Sequence, residues 1–289
     1  MLLLTYFGFD ENNSPYIKFA NENGRLEDRK IVFRDDLSLK FDVSERYCVG
    51  GHDFVANENL TCPNRAVIDK RYSQCRECMK KTAFNPAFYY SDRVSTTQLE
   101  YNKEPHMLYL AYFGDELIKV GISNHRRKIK RLLEQGARAA MILGEFSSAN
   151  IARQYEEKIA RMDGIIETLQ VARKIEVLDE ETFDFDVAEK RLLEVESRIE
   201  KELRVEFENH DVINCDTYYG DTGGLRDLYD MSETAMISGK IRACIGSLLV
   251  MENWGSLLVL PLKKFVGYRM ELSSVAERIE LAPKQVGLF

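Results

Sequence analysis

Apolar and polar residues alternate in short runs over the first 47 residues, as in YIKFA and LSLKFDV. Turn-forming stretches such as DENNSP and NENG separate these runs. Alternation with a period of two, bounded by turn residues, is typical of antiparallel strands. The pattern therefore predicts a β-rich segment in this part of the chain.

Farther along, the pattern is that of a hairpin followed by helices. The stretch LYLAYFGDELIKVGIS predicts two strands over 108–123. The next segment, NHRRKIKRLLEQGA, has apolar residues at helical spacing and ends at Gly136, a residue type typical of helix C-termini. AAMILGEF predicts a third strand, and residues 150–162 predict a second helix.

Alternation also assigns side chains to faces. It places Tyr109 and Lys119 together on the face of the hairpin away from the core. In the second predicted helix, Glu157 is expected to pair with Arg153 on the surface. The buried stripe of that helix is expected to consist of Ile151, Tyr155, Ile159 and Met162.

The last part of the chain predicts a charged helix over 185–207 and a strand-turn-strand unit over 237–272, with ENWG as its turn. The whole pattern predicts an α+β fold, with a small antiparallel sheet and flanking helices in its centre. The predicted division is a β-rich zinc-binding domain over 1–95, a central core over 104–175, and an acidic helix plus β segment over 176–289.

Composition is that of an ordinary globular protein, with 45% hydrophobic and 30% charged residues among 289. The start of the sequence lacks the pattern of a signal peptide. The longest apolar region of the whole sequence is interrupted by Glu252, Asn253 and Gly255, so no membrane span is predicted. We therefore expect a cytoplasmic protein, in which clustered cysteines indicate metal or redox chemistry.

The net charge of −7 is unevenly distributed. Basic residues outnumber acidic ones over 62–81 and 106–140, whereas 176–211 is strongly acidic. Basic regions on an acidic protein indicate a local site for a polyanion, and solvated charged faces are the alternative. The charge pattern alone favours neither.

Four of the six cysteines lie close together: Cys48, Cys62, Cys75 and Cys78. The last two form a C-x-x-C pair, which can direct both sulfurs to one tetrahedral Zn²⁺. A thioredoxin-like redox unit would require a strand-to-helix context that the sequence around Cys75 lacks. We predict a structural zinc ion held by the four cysteines, with His52 as the alternative fourth ligand.

The order of motifs after residue 104 resembles the GIY-YIG nuclease family. MLY, ending at Tyr109, stands where that family has its G-I-Y triplet, and KVG, beginning at Lys119, stands where it has Y-I-G. Arg131 falls at the position of the family's helical arginine, and Glu156 at that of its metal-binding glutamate. The sequence departs from the family at the first two positions of MLY and at Lys119, which replaces a tyrosine.

The resemblance implies metal-assisted hydrolysis of a phosphodiester bond in DNA or RNA. It implies that Glu156 holds Mg²⁺ or Mn²⁺, that Arg131 contacts phosphate oxygens, and that Tyr109 positions or deprotonates water. Lys119 is expected to act as a phosphate clamp when charged, or as a base when neutral. From the basic helix, the expected nucleic-acid contacts are His125, Arg126, Arg127 and Lys130.

Two other functions fit the sequence. One is a nucleic-acid-binding zinc protein whose nuclease core has lost catalysis, which would bind nucleic acid in a salt-sensitive manner without cleaving it. The other is an interaction scaffold that binds a protein partner through the acidic helix over 185–207.

Overall fold

The computed structural model describes residues 1–53, 58–83, 94–114 and 117–281. Two sheets dominate it, one of nine strands and one of five. Strands and helices are both abundant and largely segregated along the chain, so the predicted α+β class is confirmed.

The nine-stranded sheet joins the two ends of the chain. Its strands are β1 Leu2–Phe9, β2 Pro15–Ala20, β3 Leu26–Lys30, β4 Asp36–Asp42, β14 Tyr229–Asp230, β15 Met236–Ile245, β16 Leu248–Asn253, β17 Ser256–Pro261 and β18 Arg269–Ser273. They lie side by side in the order β14-β17-β16-β15-β4-β18-β1-β2-β3, and all neighbours are antiparallel except the β14–β17 pair.

The five-stranded sheet contains the predicted hairpin and has the order β12-β10-β9-β11-β13. Only its edge pair, β12 with β10, is parallel. The turn of the hairpin lies outside the described residues. The strands are β9 His106–Gly114, β10 Leu117–Asn124, β11 Ala139–Phe146, β12 Ile165–Ile166 and β13 Val212–Asn214.

Helices cover both faces of the five-stranded sheet. On one face, Leu132 and Leu133 of a helix join Tyr109 and the nine-stranded sheet in one apolar core. On the other face, two further helices pack against the alternate residues of β9, such as Leu110. The helices are α1 Arg76–Thr82, α2 Thr96–Asn102, α3 Lys128–Gln135, α4 Ala149–Ala160, α5 Val171–Glu180 and α6 Phe185–Leu203.

The cysteine-containing segment forms a small unit of its own. It consists of α1 and two short β-ladders. Cys48, Cys62 and Cys78 form a separate buried cluster with few apolar neighbours. The ladders pair β5 Arg46–Tyr47 with β8 Val67–Ile68, and β6 Gly51–Asp53 with β7 Glu58–Leu60.

The division of the chain differs from the predicted one. The prediction assigned 1–95 and 176–289 to separate domains, whereas β4 lies between β15 and β18 in one sheet. Strand pairing over such a distance leaves no mark in the local pattern, so alternation alone could not reveal it. In the part of the chain that the structure describes, no helix has the length and apolar character needed to cross a membrane.

Candidate functional site

The register of the hairpin brings two predicted site residues onto one face. Tyr109 lies opposite Gly121, and Ala111 lies opposite Lys119, so Tyr109 and Lys119 point to the same side of the sheet. The Tyr109 ring lies across Gly121. It comes so close that a Cβ atom at Gly121 would be only 2.4 Å from the Tyr109 hydroxyl oxygen. The glycine of KVG therefore makes room for the tyrosine of MLY.

Tyr109 is fully buried, at 0% exposure, which corrects the expectation that it lies on a face away from the core. The nine-stranded sheet supplies a second core on that side, so both faces of β9 are covered. Burial raises the pKa of the Tyr109 hydroxyl, and the positive charge of Arg131 opposes this rise only in part. The hydroxyl therefore keeps its proton at neutral pH.

Arg131 of α3 is held near the Tyr109 hydroxyl by Gln135, one turn farther along the same helix. In the orientation that satisfies both ends of its amide, the Gln135 oxygen accepts from Arg131 Nη2 at 2.8 Å and from Nε at 3.1 Å. The Gln135 amide nitrogen then donates to the Tyr109 hydroxyl at 3.2 Å. This network holds the guanidinium group beside the hydroxyl of the buried tyrosine.

Glu156 of α4 is 8% exposed and accepts a hydrogen bond from Arg153 Nη1 at 2.8 Å. Arg153 also donates to Glu167, at 2.9 Å, just beyond β12. Burial raises the pKa of Glu156, whereas the hydrogen bond and charge of Arg153 hold it down. Two carboxylates thus converge on a single guanidinium group.

Lys119 is near the charges of both Arg131 and Glu156. Its ammonium group donates to the carbonyl of Val120 at 3.1 Å. Burial, with the nearby charge of Arg131, lowers the pKa of Lys119 to about 8, although Glu156 acts to raise it. The four predicted catalytic residues therefore come close enough to influence one another: Tyr109, Lys119, Arg131 and Glu156.

Two details of α4 were predicted wrongly. Arg153 pairs with Glu156 rather than with Glu157, which instead pairs with Arg161. Ile151 is 39% exposed, and Ala152 takes the expected buried place. Ile159 and Met162 are buried as predicted and Tyr155 is half-buried, so the difference is confined to the first turns of the helix.

The predicted nucleic-acid contacts all have acidic partners. Arg126 bonds Glu104 at 2.6 Å, and His125 lies 3.8 Å from Glu145. Arg127 pairs with Glu134, and Lys130 with Glu11. Because these ion pairs neutralise much of the local positive charge, the role of this helix in binding stays a prediction.

The sequence analysis did not place four residues in or beside the site: Gln135, Arg153, Glu167 and Lys174 of α5. The spacing of Arg153 and Glu156, three residues apart, was an available signal for their pairing. Glu167 and Lys174 carry no comparable signal, because their positions depend on how β12 and α5 pack against the central sheet.

The cysteine cluster forms a compact donor set. The Sγ atoms of the four cysteines all lie within 4.8 Å of one another. Cys62 and Cys75 have their Sγ atoms 4.0 Å apart, close to the roughly 3.8 Å between sulfurs that a tetrahedral ion with 2.3 Å bonds requires. The four thiols can therefore hold a metal ion.

Backbone hydrogen bonds orient this donor set. Cys48 Sγ accepts from the backbone N–H of Gly50 at 3.4 Å and from that of Cys75 at 3.1 Å. A backbone N–H from Cys78 lowers the pKa of Cys75 to about 7, whereas burial raises the pKa values of Cys48 and Cys78. His52, the alternative ligand, instead bonds Asn59 at 2.9 Å.

Comparison with known proteins identifies the family. Residues 35–270 match the family described as Protein of unknown function (DUF2797). The match covers more than half of the chain, which therefore belongs to this family. No curated protein and no solved structure matched the chain.

Proposed function

We propose that this protein is a metal-dependent nuclease that hydrolyses phosphodiester bonds of DNA or RNA. The observation that supports the proposal is the convergence of four residues from four different elements: Tyr109 of β9, Lys119 of β10, Arg131 of α3 and Glu156 of α4. The order of these elements, strand-strand-helix-strand-helix, is the order that the GIY-YIG resemblance implies.

Glu156 and Glu167 are the oxygen donors that fit a hard divalent cation, because both carboxylates already converge on one positive group. A bound Mg²⁺ or Mn²⁺ would supply charge to polarise the phosphate and stabilise the leaving oxygen. Arg153 lies between the two carboxylates, so a bound ion would compete with its guanidinium group for Glu156.

The remaining residues act on the phosphate and the attacking water. The planar fork of Arg131 bonds the non-bridging oxygens as negative charge accumulates there. Tyr109 keeps its proton, so it positions water rather than removing a proton from it. With its pKa lowered to about 8, Lys119 stays mainly charged at pH 7 and clamps the phosphate.

We further propose that the metal of the cysteine cluster is zinc and that its role is structural. Four thiolates in tetrahedral spacing match zinc better than a hard cation, which prefers oxygen. All four positions are taken by protein ligands, so water has no place on the ion. The apolar neighbours of the cluster are few, and metal binding would therefore supply much of the stability of this unit.

A second candidate is a nucleic-acid-binding protein without catalysis. The Arg153–Glu156 ion pair favours it, because a guanidinium group already neutralises the proposed metal ligand. The complete burial of Tyr109 favours it too. A third candidate, a scaffold that binds a protein through α6, is supported by the exposed acidic face of that helix.

A cleavage screen separates the three candidates. The purified protein is incubated with single- and double-stranded DNA and RNA, in the presence of Mg²⁺ or Mn²⁺, and binding to the same substrates is measured without either ion. A nuclease cleaves at least one substrate in a metal-dependent manner. Binding without cleavage supports the second candidate, and neither binding nor cleavage supports the scaffold.

A further inference from the structure

A second group of metal-ligating side chains lies on α6, outside the site around the hairpin. Glu196 and Glu200 are one turn apart on this helix, and His210 comes from residues 204–211, which connect α6 to β13. One donor atom from each of these three residues lies within 4.8 Å of the other two. Two separate parts of the chain therefore bring one imidazole nitrogen and two carboxylates together.

Contacts that need no metal ion hold the three donors in place. His210 Nδ1 lies 2.9 Å from a carboxylate oxygen of Glu196, and the carboxylate of Glu200 accepts from a backbone N–H of the connecting segment at 2.8 Å. The side chain of Asn209 donates to the carbonyl of Ile142 in β11 at 3.3 Å. The segment before β13 is thus fastened to both the helix and the sheet, and the donor set is arranged before any ion binds.

The charges in this group are unbalanced. Glu196 is only 3% exposed, and burial raises its pKa, a rise that the hydrogen bond from His210 opposes only in part. In the ranges that the structure describes, neither Glu196 nor Glu200 forms an ion pair with a lysine or an arginine. Two carboxylates four residues apart on a helix repel each other. A cation bound between them would remove this repulsion and stabilise the buried carboxylate.

The kinds of donor atom indicate which cation fits. An imidazole nitrogen suits zinc and the neighbouring transition metals, whereas Mg²⁺ and Ca²⁺ prefer oxygen ligands throughout. Bonds of about 2.1 Å around a tetrahedral ion place its ligand atoms roughly 3.4 Å apart, and small side-chain rotations bring the three donors to that spacing. The side chain of His210 is 53% exposed, so an ion has access from solvent and water can take its remaining position.

We propose that Glu196, Glu200 and His210 form a reversible Zn²⁺ site that fastens the segment before β13 to α6. This site is separate from the cysteine cluster and does not depend on the proposed nuclease activity. A simple ion pair between His210 and Glu196 is the other interpretation of the same contacts. The two interpretations differ in the part of Glu200, which a metal site requires and an ion pair does not.

The test follows the imidazole ring of His210 by NMR while zinc is added. The chain has four histidines, so protein labelled with ¹⁵N in its histidines gives few ring signals, and the signal missing from His210→Gln belongs to His210. Zinc chloride is added in excess of the zinc that the purified protein already contains. It should shift the His210 signal, whereas the same concentration of Mg²⁺ should leave that signal unchanged.

Glu196→Gln and Glu200→Gln should each raise the zinc concentration at half-saturation at least about tenfold, because each removes a charged ligand. Glu200→Gln is the sharper variant, because the ion pair of Glu196 stays intact and the new amide oxygen can still accept the backbone N–H. Glu208→Gln is the matched control, since Glu208 is exposed, lies in the same segment and is not one of the three donors.

Three results would overturn the proposal. The first is a His210 signal that zinc does not shift, and the second is a signal that Mg²⁺ shifts as much as zinc does. The third is a Glu200→Gln titration that matches the Glu208→Gln titration, because the contacts would then be those of a simple ion pair.

Discussion

Replacing Gly121 with alanine should disturb both the stability of the protein and the position of Tyr109. The new Cβ atom would lie 2.4 Å from the Tyr109 hydroxyl oxygen and 2.5 Å from ring atom Cζ, distances that real Cβ contacts do not show. Tyr109 has no exposed surface, so the ring cannot move aside without displacing its neighbours. Overpacking of this kind costs about 1–3 kcal/mol.

Part of that cost is offset, because alanine reduces the entropy of the unfolded chain by about 0.4–1 kcal/mol. The net loss of unfolding free energy is therefore about 1.3 kcal/mol, within a range of roughly 0 to 2.6 kcal/mol. For a chain of this size a loss of about 1.3 kcal/mol lowers the melting temperature by roughly 3–5 °C. The shift of the ring also separates the hydroxyl from Arg131 and Gln135, so any cleavage activity should fall as well.

Thermal unfolding followed by circular dichroism measures the effect, with Gly144→Ala as the control. Gly144 lies in β11 of the same sheet, and its added Cβ would meet only Phe146, at an ordinary 3.8 Å. Adding Tyr109→Ala to Gly121→Ala should make the combined loss smaller than the sum of the single losses by about 1 kcal/mol, because the clash disappears. Equal melting temperatures for Gly121→Ala and Gly144→Ala would refute the packing of Tyr109 across Gly121.

Two further predictions concern the cysteine cluster and the start of α3. Freshly purified protein should contain about one zinc per chain by elemental analysis. Cys75→Ser should reduce both the zinc content and the folded yield. Metal-free protein that folds normally would contradict the zinc site. Arg127→Ala should lower the unfolding free energy by about 1–2 kcal/mol, because Arg127 bonds Glu134, which also accepts from Tyr6 at 2.8 Å across the junction with β1. Arg126→Ala is the control, because the ion pair of Arg126 with Glu104 is more exposed, and it should lower the unfolding free energy by less than about 1 kcal/mol. Both free energies are measured by urea unfolding. Equal losses for Arg126→Ala and Arg127→Ala would show that Arg127 has no special structural role.

Local patterns predicted the local parts of the structure. Alternation located the β9–β10 hairpin, helical spacing located α3 with its end at Gly136, and the C-x-x-C pair indicated the cysteine cluster. Each of these features depends on residues near one another in sequence. The proximity of Lys119 to Glu156 was implied by the GIY-YIG resemblance rather than by a local pattern, and their catalytic roles stay a prediction.

Features that depend on distant residues were not predicted. The insertion of β4 between β15 and β18 brings together segments roughly 200 residues apart, and no periodicity records such a pairing. The burial of Tyr109 follows from that sheet, because its core covers a face of β9 that alternation assigned to the outside. Lys174 was missed for a related reason, since no helix was predicted over 171–180 and the packing of α5 against the sheet positions the lysine.

The most direct test of the proposed nuclease compares Glu156→Gln with Glu157→Gln. Glu156→Gln keeps the size of the side chain but removes the charge that would hold a divalent cation. Arg153 retains Glu167 as a partner at 2.9 Å, and the amide oxygen of the new side chain can still accept from Arg153, so the fold should lose about 1–3 kcal/mol of stability and remain folded. Glu157, one residue along, is exposed and pairs with Arg161, which makes its replacement a matched control.

The measurement is the rate of Mn²⁺-dependent cleavage of the best substrate from the screen, with Arg131→Lys as a further variant. The account predicts that Glu156→Gln reduces the rate by at least about 100-fold while binding survives, and that Glu157→Gln cleaves like the unmodified protein. Arg131→Lys should also be strongly impaired, because a lysine cannot make two parallel bonds to a phosphate. Equal rates for the unmodified protein and Glu156→Gln, or no metal-dependent cleavage of any substrate, would contradict the account.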